Sequence, residues 1–186
     1  MNEAVSTHDA DPRLGGRPIT HVVYDQETIA ARVRALGREI TEAYPPEEPL
    51  LVIGILKGAV LFLADLVRAI ERPLEVDFLA ASSYGSGTVS SGEVTLLYGP
   101  TSDLTGRTVL IVEDIVDSGT TLEVLVPRLV TMGAARVDVC TLLHKRIPSA
   151  TATVRFVGFD APNSFLVGYG LDHAEDFRHL PYIASL

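Results

Sequence analysis

The chain of 186 residues has one cysteine and no tryptophan. A lone Cys140 cannot form an internal disulfide, so no disulfide framework holds the fold. It stands in an apolar, strand-like run, which points to a buried structural thiol rather than a nucleophile. Long apolar runs are missing too, and none approaches the roughly 20 residues that span a bilayer. No basic-then-apolar leader opens the sequence, and a cytoplasmic location is expected. Basic residues are scarce: 15 Lys and Arg stand against 24 Asp and Glu, a net charge of −9. General nucleic-acid binding needs a basic surface, so no nucleic-acid partner is expected. Phosphate binding stays open, provided that the positive groups are local. There is no internal repeat and no Walker A pattern. Gly85 to Ser90 only half-matches a dinucleotide fingerprint, without its last glycine and in the wrong context.

What the chain does have is 47% hydrophobic residues in short runs, enough for one domain with a sizeable core. Residues 1–18 are polar and punctuated by Gly and Pro, and read as a loose tail before a single domain over 19–186. Ile29, Val33, Leu36 and Ile40 recur at helical spacing over 28–44, behind Asp25 and Glu27 and ahead of Pro45-Pro46. A buried strand over 50–56 turns at Lys57-Gly58 into a helix reaching about Ile70. Strands are expected over 76–83, with Asp77 inside, and over 94–97. Between them, residues 82–92 are Ser, Gly and Thr apart from Tyr84 and Val89, and read as a mobile loop. A central strand at 109–112 precedes a helix from Thr120 to about Met132, in which Pro127 predicts a kink. Further strands are expected at 137–143, 154–159 and 165–167. Strands alternating with helices imply an α/β fold with a mostly parallel twisted sheet flanked by helices. Ligands of such sheets bind beyond the carboxyl ends of the strands. Lys57, Glu113 to Asp117, and His144-Lys145-Arg146 all lie at such ends.

The most informative segment follows the central strand. Glu113, Asp114 and Asp117 supply three carboxylates, and Ser118, Gly119, Thr120 and Thr121 form a hydroxyl-rich turn entering a helix. Free backbone N–H groups at a helix start make an anion site, and Gly119 lets the backbone approach closely. The carboxylates would repel a phosphate unless they bind sugar hydroxyls or a divalent cation. A sugar phosphate with Mg²⁺ satisfies all of these groups. Lys57 beside Gly58 suits a pyrophosphate, although a surface lysine is an equal reading of that pair alone. Lys145 also ends an apolar strand and has the chemistry to donate to a carbonyl oxygen. Phe165 has the chemistry to stack on a planar base, and Asp172 to ligate Mg²⁺. Taken alone, that segment reads as a core aromatic and a turn residue. His144, His173 and His179 have no metal-ligand spacing and read as surface.

The segment 109–122 closely resembles the phosphoribosyl-pyrophosphate (PRPP) motif of the type I phosphoribosyltransferases. Over 19–186 the chain resembles the hypoxanthine-guanine phosphoribosyltransferases of the compact bacterial kind. The resemblance rests on Leu56-Lys57-Gly58, Ala81 to Gly87, Val112 to Thr121, Leu142 to Lys145, Phe165 to Asp172 and Arg178 to Ile183. It implies a small hood and a flexible loop beside the sheet. It also implies transfer of a 5-phosphoribosyl group from PRPP to N9 of a 6-oxopurine, hypoxanthine or guanine, releasing pyrophosphate, with Mg²⁺ as cofactor. Homodimers or homotetramers are expected on the same ground, and no membrane partner.

The roles implied residue by residue are as follows. Asp117, Ser118, Gly119, Thr120 and Thr121 hold the 5′-phosphate. Glu113 and Asp114 engage the ribose hydroxyls and, directly or through water, the metal. Asp117 also serves as the catalytic proton acceptor at the purine N7 side. Lys145 bonds O6, Phe165 stacks on the purine, and the Leu166 backbone meets the base edge. Asp172 coordinates Mg²⁺. Lys57, Gly58 and Arg178 bind pyrophosphate, after a peptide bond that in the family can be cis. Ser83 and Tyr84 close over the site. Leu166 stands where valine is more usual, and His144 precedes Lys145 where relatives carry other residues. Two other readings compete: an RNA-binding attenuator on the same fold, disfavoured by the net charge, and a xanthine phosphoribosyltransferase, separable by substrate.

Overall fold

The computed structural model describes residues 11–83, 94–146 and 153–186. The first ordered element is a 3-10 turn, Pro12–Leu14, followed by β1 (His21–Tyr24) and α1 (Gln26–Ala43). Then come β2 (Leu50–Leu56), α2 (Val60–Ala69), β3 (Leu74–Ser83), β4 (Val94–Tyr98) and β5 (Thr108–Val116). The chain continues through α3 (Thr120–Thr131), β6 (Arg136–His144), β7 (Phe156–Asp160), β8 (Leu166–Val167) and β9 (Ile183–Ser185).

Six strands form the main sheet in the order β4-β3-β2-β5-β6-β7, and only β4 runs antiparallel to its neighbour. The apolar run of β2 is buried along its length, as a central strand covered on both faces must be. Alternate residues face opposite layers. Leu50, Val52, Leu110, Val112, Cys140 and Leu142 pack with α1 and α2, while Leu51, Ile53, Val109, Ile111 and Val139 pack with Leu122, Leu125 and Leu129 of α3. Asp25 caps α1 by accepting the Thr28 N–H at 2.8 Å, so this helix starts two residues before the spacing predicts. The α3 helix runs continuously through Pro127. Cys140 is buried, as expected, and burial pushes its thiol pKa up.

Three expectations need correction. The loose tail ends sooner than residue 18. Leu14 is buried in a cluster with Ile19, Val167, Phe177, Leu180, Tyr182 and Ala184, and Tyr182 donates to Asp11 at 3.0 Å. The strand expected at 165–167 belongs to a second, three-stranded sheet, β1-β9-β8, whose other two members were not anticipated. His144 is not a surface residue: both ring nitrogens are buried without a hydrogen-bond partner. Burial, then the nearby Arg146 charge, hold its pKa below the ordinary histidine value, against a smaller opposite effect of Asp160. The loop expected over 82–92 lies, from Tyr84 onward, outside the described residues, as does the tail up to residue 10. Among the described residues no helix is long and apolar enough to cross a membrane.

Candidate active site

Parallel pairing brings the carboxyl ends of β2, β5 and β6 to one edge of the sheet. Gly54 pairs with Val112, and Val116 with His144, so Lys57, the acidic run after Val112, and Lys145 emerge side by side. The peptide Leu56–Lys57 is cis. A cavity of about 410 Å³ opens there, lined by Lys57, Gly58, Glu113, Asp114, Thr121, Asp172 and Arg178, with Ile55, Leu56 and Ala81. A smaller cavity of about 120 Å³ adjoins it through Glu113 and Thr121 and is otherwise formed by the turn 115–122.

That turn has the form of an anion cradle. Gly119 heads α3 with a left-handed backbone, φ 84°, and has no side chain to cap the helix, and the Thr120 N–H makes only a long bond, 3.4 Å, to Ser118 Oγ. Ser118 Oγ lies 2.9 Å from Thr120 Oγ1, which holds the two hydroxyls together. Beside the cradle the carboxylates differ sharply. Glu113 Oε2 is buried without a partner. Burial first, and the neighbouring Asp114 second, raise its pKa well above the usual carboxylate value. Asp114 accepts the Ile115 N–H at 3.0 Å. Its Oδ2 crowds Gly58: a Cβ built on Gly58 would stand 1.8 Å away, so only glycine fits beside this carboxylate.

Asp117 is more exposed and pairs with Lys145, Nζ to Oδ2 2.7 Å. The Lys145 backbone is fixed next to β5 by its N–H donating to Val116 O at 2.9 Å. In the larger cavity, Arg178 donates to Gly170 O and sits 2.8 Å from Asp172 Oδ1. Phe165 keeps 56% of its surface exposed and meets His173 edge to face, centroids 5.3 Å apart. An exposed ring of this size is available for stacking, which a core aromatic is not. Leu166 beside it is buried.

Thus Lys57, Gly58, Glu113, Asp114, Thr121, Asp172 and Arg178 share one cavity, Asp117, Ser118, Gly119 and Thr120 share the adjoining one, and Lys145 joins through Asp117. Phe165 and Leu166 line neither cavity and lie on the hood formed with the second sheet. Ser83 ends β3, and Tyr84 lies outside the described residues. Sequence reasoning missed Glu175, whose carboxylate contacts both Lys57 and Arg178. Its position three residues after Asp172 and three before Arg178 was the only signal.

Comparison with known proteins agrees with this geometry. The family model described as "Phosphoribosyl transferase domain" matches residues 21–173. A hypoxanthine-guanine phosphoribosyltransferase from Mycobacterium avium is 48% identical over 174 residues, covering 90% of this chain and 86% of the relative. One from Bacillus subtilis is 47% identical over 171 residues, 90% of this chain and 93% of the relative. A bifunctional TilS/HprT protein from Listeria innocua is 45% identical over 179 residues, but the chain spans only 28% of its length. Among solved structures, a hypoxanthine phosphoribosyltransferase from Staphylococcus aureus superposes with TM-score 0.85 at 38% identity, covering 90% of this chain and 91% of that one. A hypoxanthine-guanine phosphoribosyltransferase from Bacillus anthracis gives TM-score 0.84 at 39% identity, with 91% and 99% covered. With its cradle after β5, its cations at the ends of β2 and β6, and this likeness along most of its length, the chain belongs to the phosphoribosyltransferase family, among the hypoxanthine-guanine phosphoribosyltransferases.

Proposed function

We propose that the two joined cavities carry out transfer of the 5-phosphoribosyl group from PRPP to N9 of hypoxanthine or guanine, giving IMP or GMP and pyrophosphate in purine salvage. The observation that carries this reading is the placing of opposite demands within one site. An anion cradle, two further cations and a lysine–carboxylate pair surround three acidic groups.

In this reading the 5′-phosphate takes the N–H groups and hydroxyls of 117–121, and Glu113 and Asp114 take the ribose hydroxyls. A raised pKa keeps a proton on Glu113 over a wider pH range, so it has the chemistry to donate as well as accept. Lys57, Gly58 and Arg178 hold the pyrophosphate. Lys145 turns its ammonium from Asp117 to the purine O6. That movement frees Asp117 Oδ2 to accept the proton from the N7 side while charge redistributes over the base. Phe165 stacks on the purine and the Leu166 backbone meets its edge.

Among the described residues no group of three or more His, Cys, Asp or Glu forms a metal cage. Mg²⁺ does not require one, since it keeps waters and takes one or two carboxylates together with substrate phosphates. Asp114 and Asp172 line the same cavity as the cations, and Glu113 keeps a buried oxygen without a partner, so these three residues fit such an ion. Bound there, Mg²⁺ would neutralise charge on the pyrophosphate leaving group. The net charge of −9 and the single buried cysteine support a cytoplasmic enzyme without a nucleic-acid partner, and the family resemblance supports a homodimer or homotetramer.

The test is PRPP consumption with hypoxanthine, guanine, xanthine, adenine and uracil in parallel. Hypoxanthine and guanine are expected to turn over and adenine hardly at all, because the Lys145 ammonium has only donors to offer the 6-amino group. Equal turnover of adenine and hypoxanthine would overturn the assignment.

A further inference from the structure

Lys57 and Arg178, the two cations assigned above to pyrophosphate, share one carboxylate. Glu175 Oε2 lies 3.0 Å from Lys57 Nζ and 3.4 Å from Arg178 Nη2. It reaches them from the tip of a tight turn. His173 and Asp176 exchange backbone hydrogen bonds of 3.2 and 3.1 Å, and Ala174 and Glu175 between them have φ of 52° and 67°. Two successive residues at positive φ form a turn that Asn or Gly fills most easily. A glutamate here carries a backbone cost. The Glu175 N–H donates to Asp172 Oδ2 at 2.8 Å, which fixes the root of the side chain against the site wall. Its far end remains 65% exposed, and Lys57 is 68% exposed, so the contact breaks by rotation into solvent. Arg178 is held from behind by Gly170 O and Asp172, which leaves its guanidinium in place when Glu175 departs.

We propose that Glu175 is a built-in competitor for pyrophosphate, an anionic side chain that takes Lys57 and Arg178 and must be displaced when the pyrophosphate group binds there. The inference rests on the assignment of those two cations to pyrophosphate. A single exposed carboxylate holds them weakly, and an anion of higher charge displaces it. Such a competitor lowers the affinity for both the substrate's leaving group and the released product. It therefore limits retention of pyrophosphate after transfer without touching the purine or ribose contacts.

Inorganic pyrophosphate is the probe, measured by calorimetric titration with Mg²⁺ present and as inhibitor of the forward reaction. The whole chain is compared as wild type, Glu175→Gln, Lys57→Ala and Arg178→Ala. Gln keeps the size and the N–H to Asp172 but removes the charge. Glu175→Gln is expected to bind pyrophosphate about three- to tenfold more tightly, the scale set by losing exposed ion pairs. KM for PRPP should fall with it and KM for hypoxanthine should stay, and added salt should shrink the difference by screening. A Glu175 that merely positions the turn would give weaker binding in the same variant. Unchanged or weaker pyrophosphate binding in Glu175→Gln, with Lys57→Ala and Arg178→Ala both weakened, overturns the competitor role and leaves the site assignment standing. Unweakened binding in both cation variants overturns the assignment and the inference together.

Discussion

Asp117 and Lys145 hold each other 2.7 Å apart, across a strand boundary that only tertiary pairing creates. Each blocks the other from acting alone. While the ammonium serves Asp117, it occupies the carboxylate oxygen that would take a proton. A purine bound as proposed would resolve the pair into a donor and a proton acceptor. Asp117→Asn keeps the shape and a hydrogen-bond acceptor but loses the base. Its kcat is expected to fall by about 10²- to 10⁴-fold, while KM for PRPP changes far less. Steady-state kinetics with hypoxanthine decide this: a drop in kcat of less than roughly tenfold, far short of the usual acid–base contribution, would leave Asp117 a phosphate-loop residue only. At this scale the sequence was readable where residues that share a cavity lie in one contiguous segment, as in 113–121. It was not readable where a side chain meets a partner from far along the chain, as Glu175 meets Lys57 across 118 positions.

Elements were legible in proportion to how much of their burial is recorded in their own residues. The strand β2 was read to the residue because all of its run is apolar, and β5 was found but cut short because Glu113 and Asp114 are polar residues inside a strand. Both β1 and β9 escaped notice, being four and three residues long, with a pairing that joins opposite ends of the chain. Asp77 shows how a buried polar residue in a strand is made stable. It is 6% exposed in β3, and burial would by itself raise its pKa. The N–H groups of Ser102 (2.8 Å), Phe78 (2.7 Å) and Thr101 (2.8 Å) outweigh that and hold the carboxyl below its ordinary value. These bonds tie the segment after β4 back to β3. Asp77→Asn turns one acceptor oxygen into a donor facing another N–H, and should cost about 1.5–3 kcal/mol at neutral pH. A carboxyl whose folded pKa lies below its unfolded one stabilises the fold above the unfolded value. That contribution is lost as pH falls through the folded value, because the unfolded chain binds the proton more readily. Urea unfolding from pH 7 down to pH 2, with roughly 4 as the ordinary Asp pKa, should therefore show the wild-type advantage shrinking below that value. An advantage that stays constant over the whole range would mean that the charge of Asp77 contributes nothing.

As a whole, the molecule divides its core in three. Two layers flank the six-stranded sheet, and a third, smaller cluster sits under the hood. The layers position the cradle and its cations, since these stand on strand ends. The hood cluster backs the residues proposed to meet the base, since Val167 follows Phe165 and Leu166 in the chain, and it backs the proposed pyrophosphate side too, since Phe177 precedes Arg178. Residues 11–18 complete that cluster. Leu14 is 2% exposed, Arg17 lies over the Phe177 ring at 4.5 Å and forms an ion pair with Asp176, and the His179 ring meets Arg13 O. A segment that composition marks as a tail is therefore part of the packing behind β8 and the 176–180 stretch, a role no local pattern records. Leu14→Ala should leave a cavity and cost about 2–5 kcal/mol, lowering Tm by at least roughly 4 °C in a chain of this size. The loss should be felt unevenly. KM for hypoxanthine is expected to rise as the hood loosens, while the cradle on α3 keeps its affinity for the 5′-phosphate, read from binding of ribose 5-phosphate. Thermal melting and the two affinities, measured on the same preparation, check this together. An unchanged Tm would show that Leu14 is dispensable to the cluster, and a matched loss of both affinities would show that hood and cradle fail as one unit.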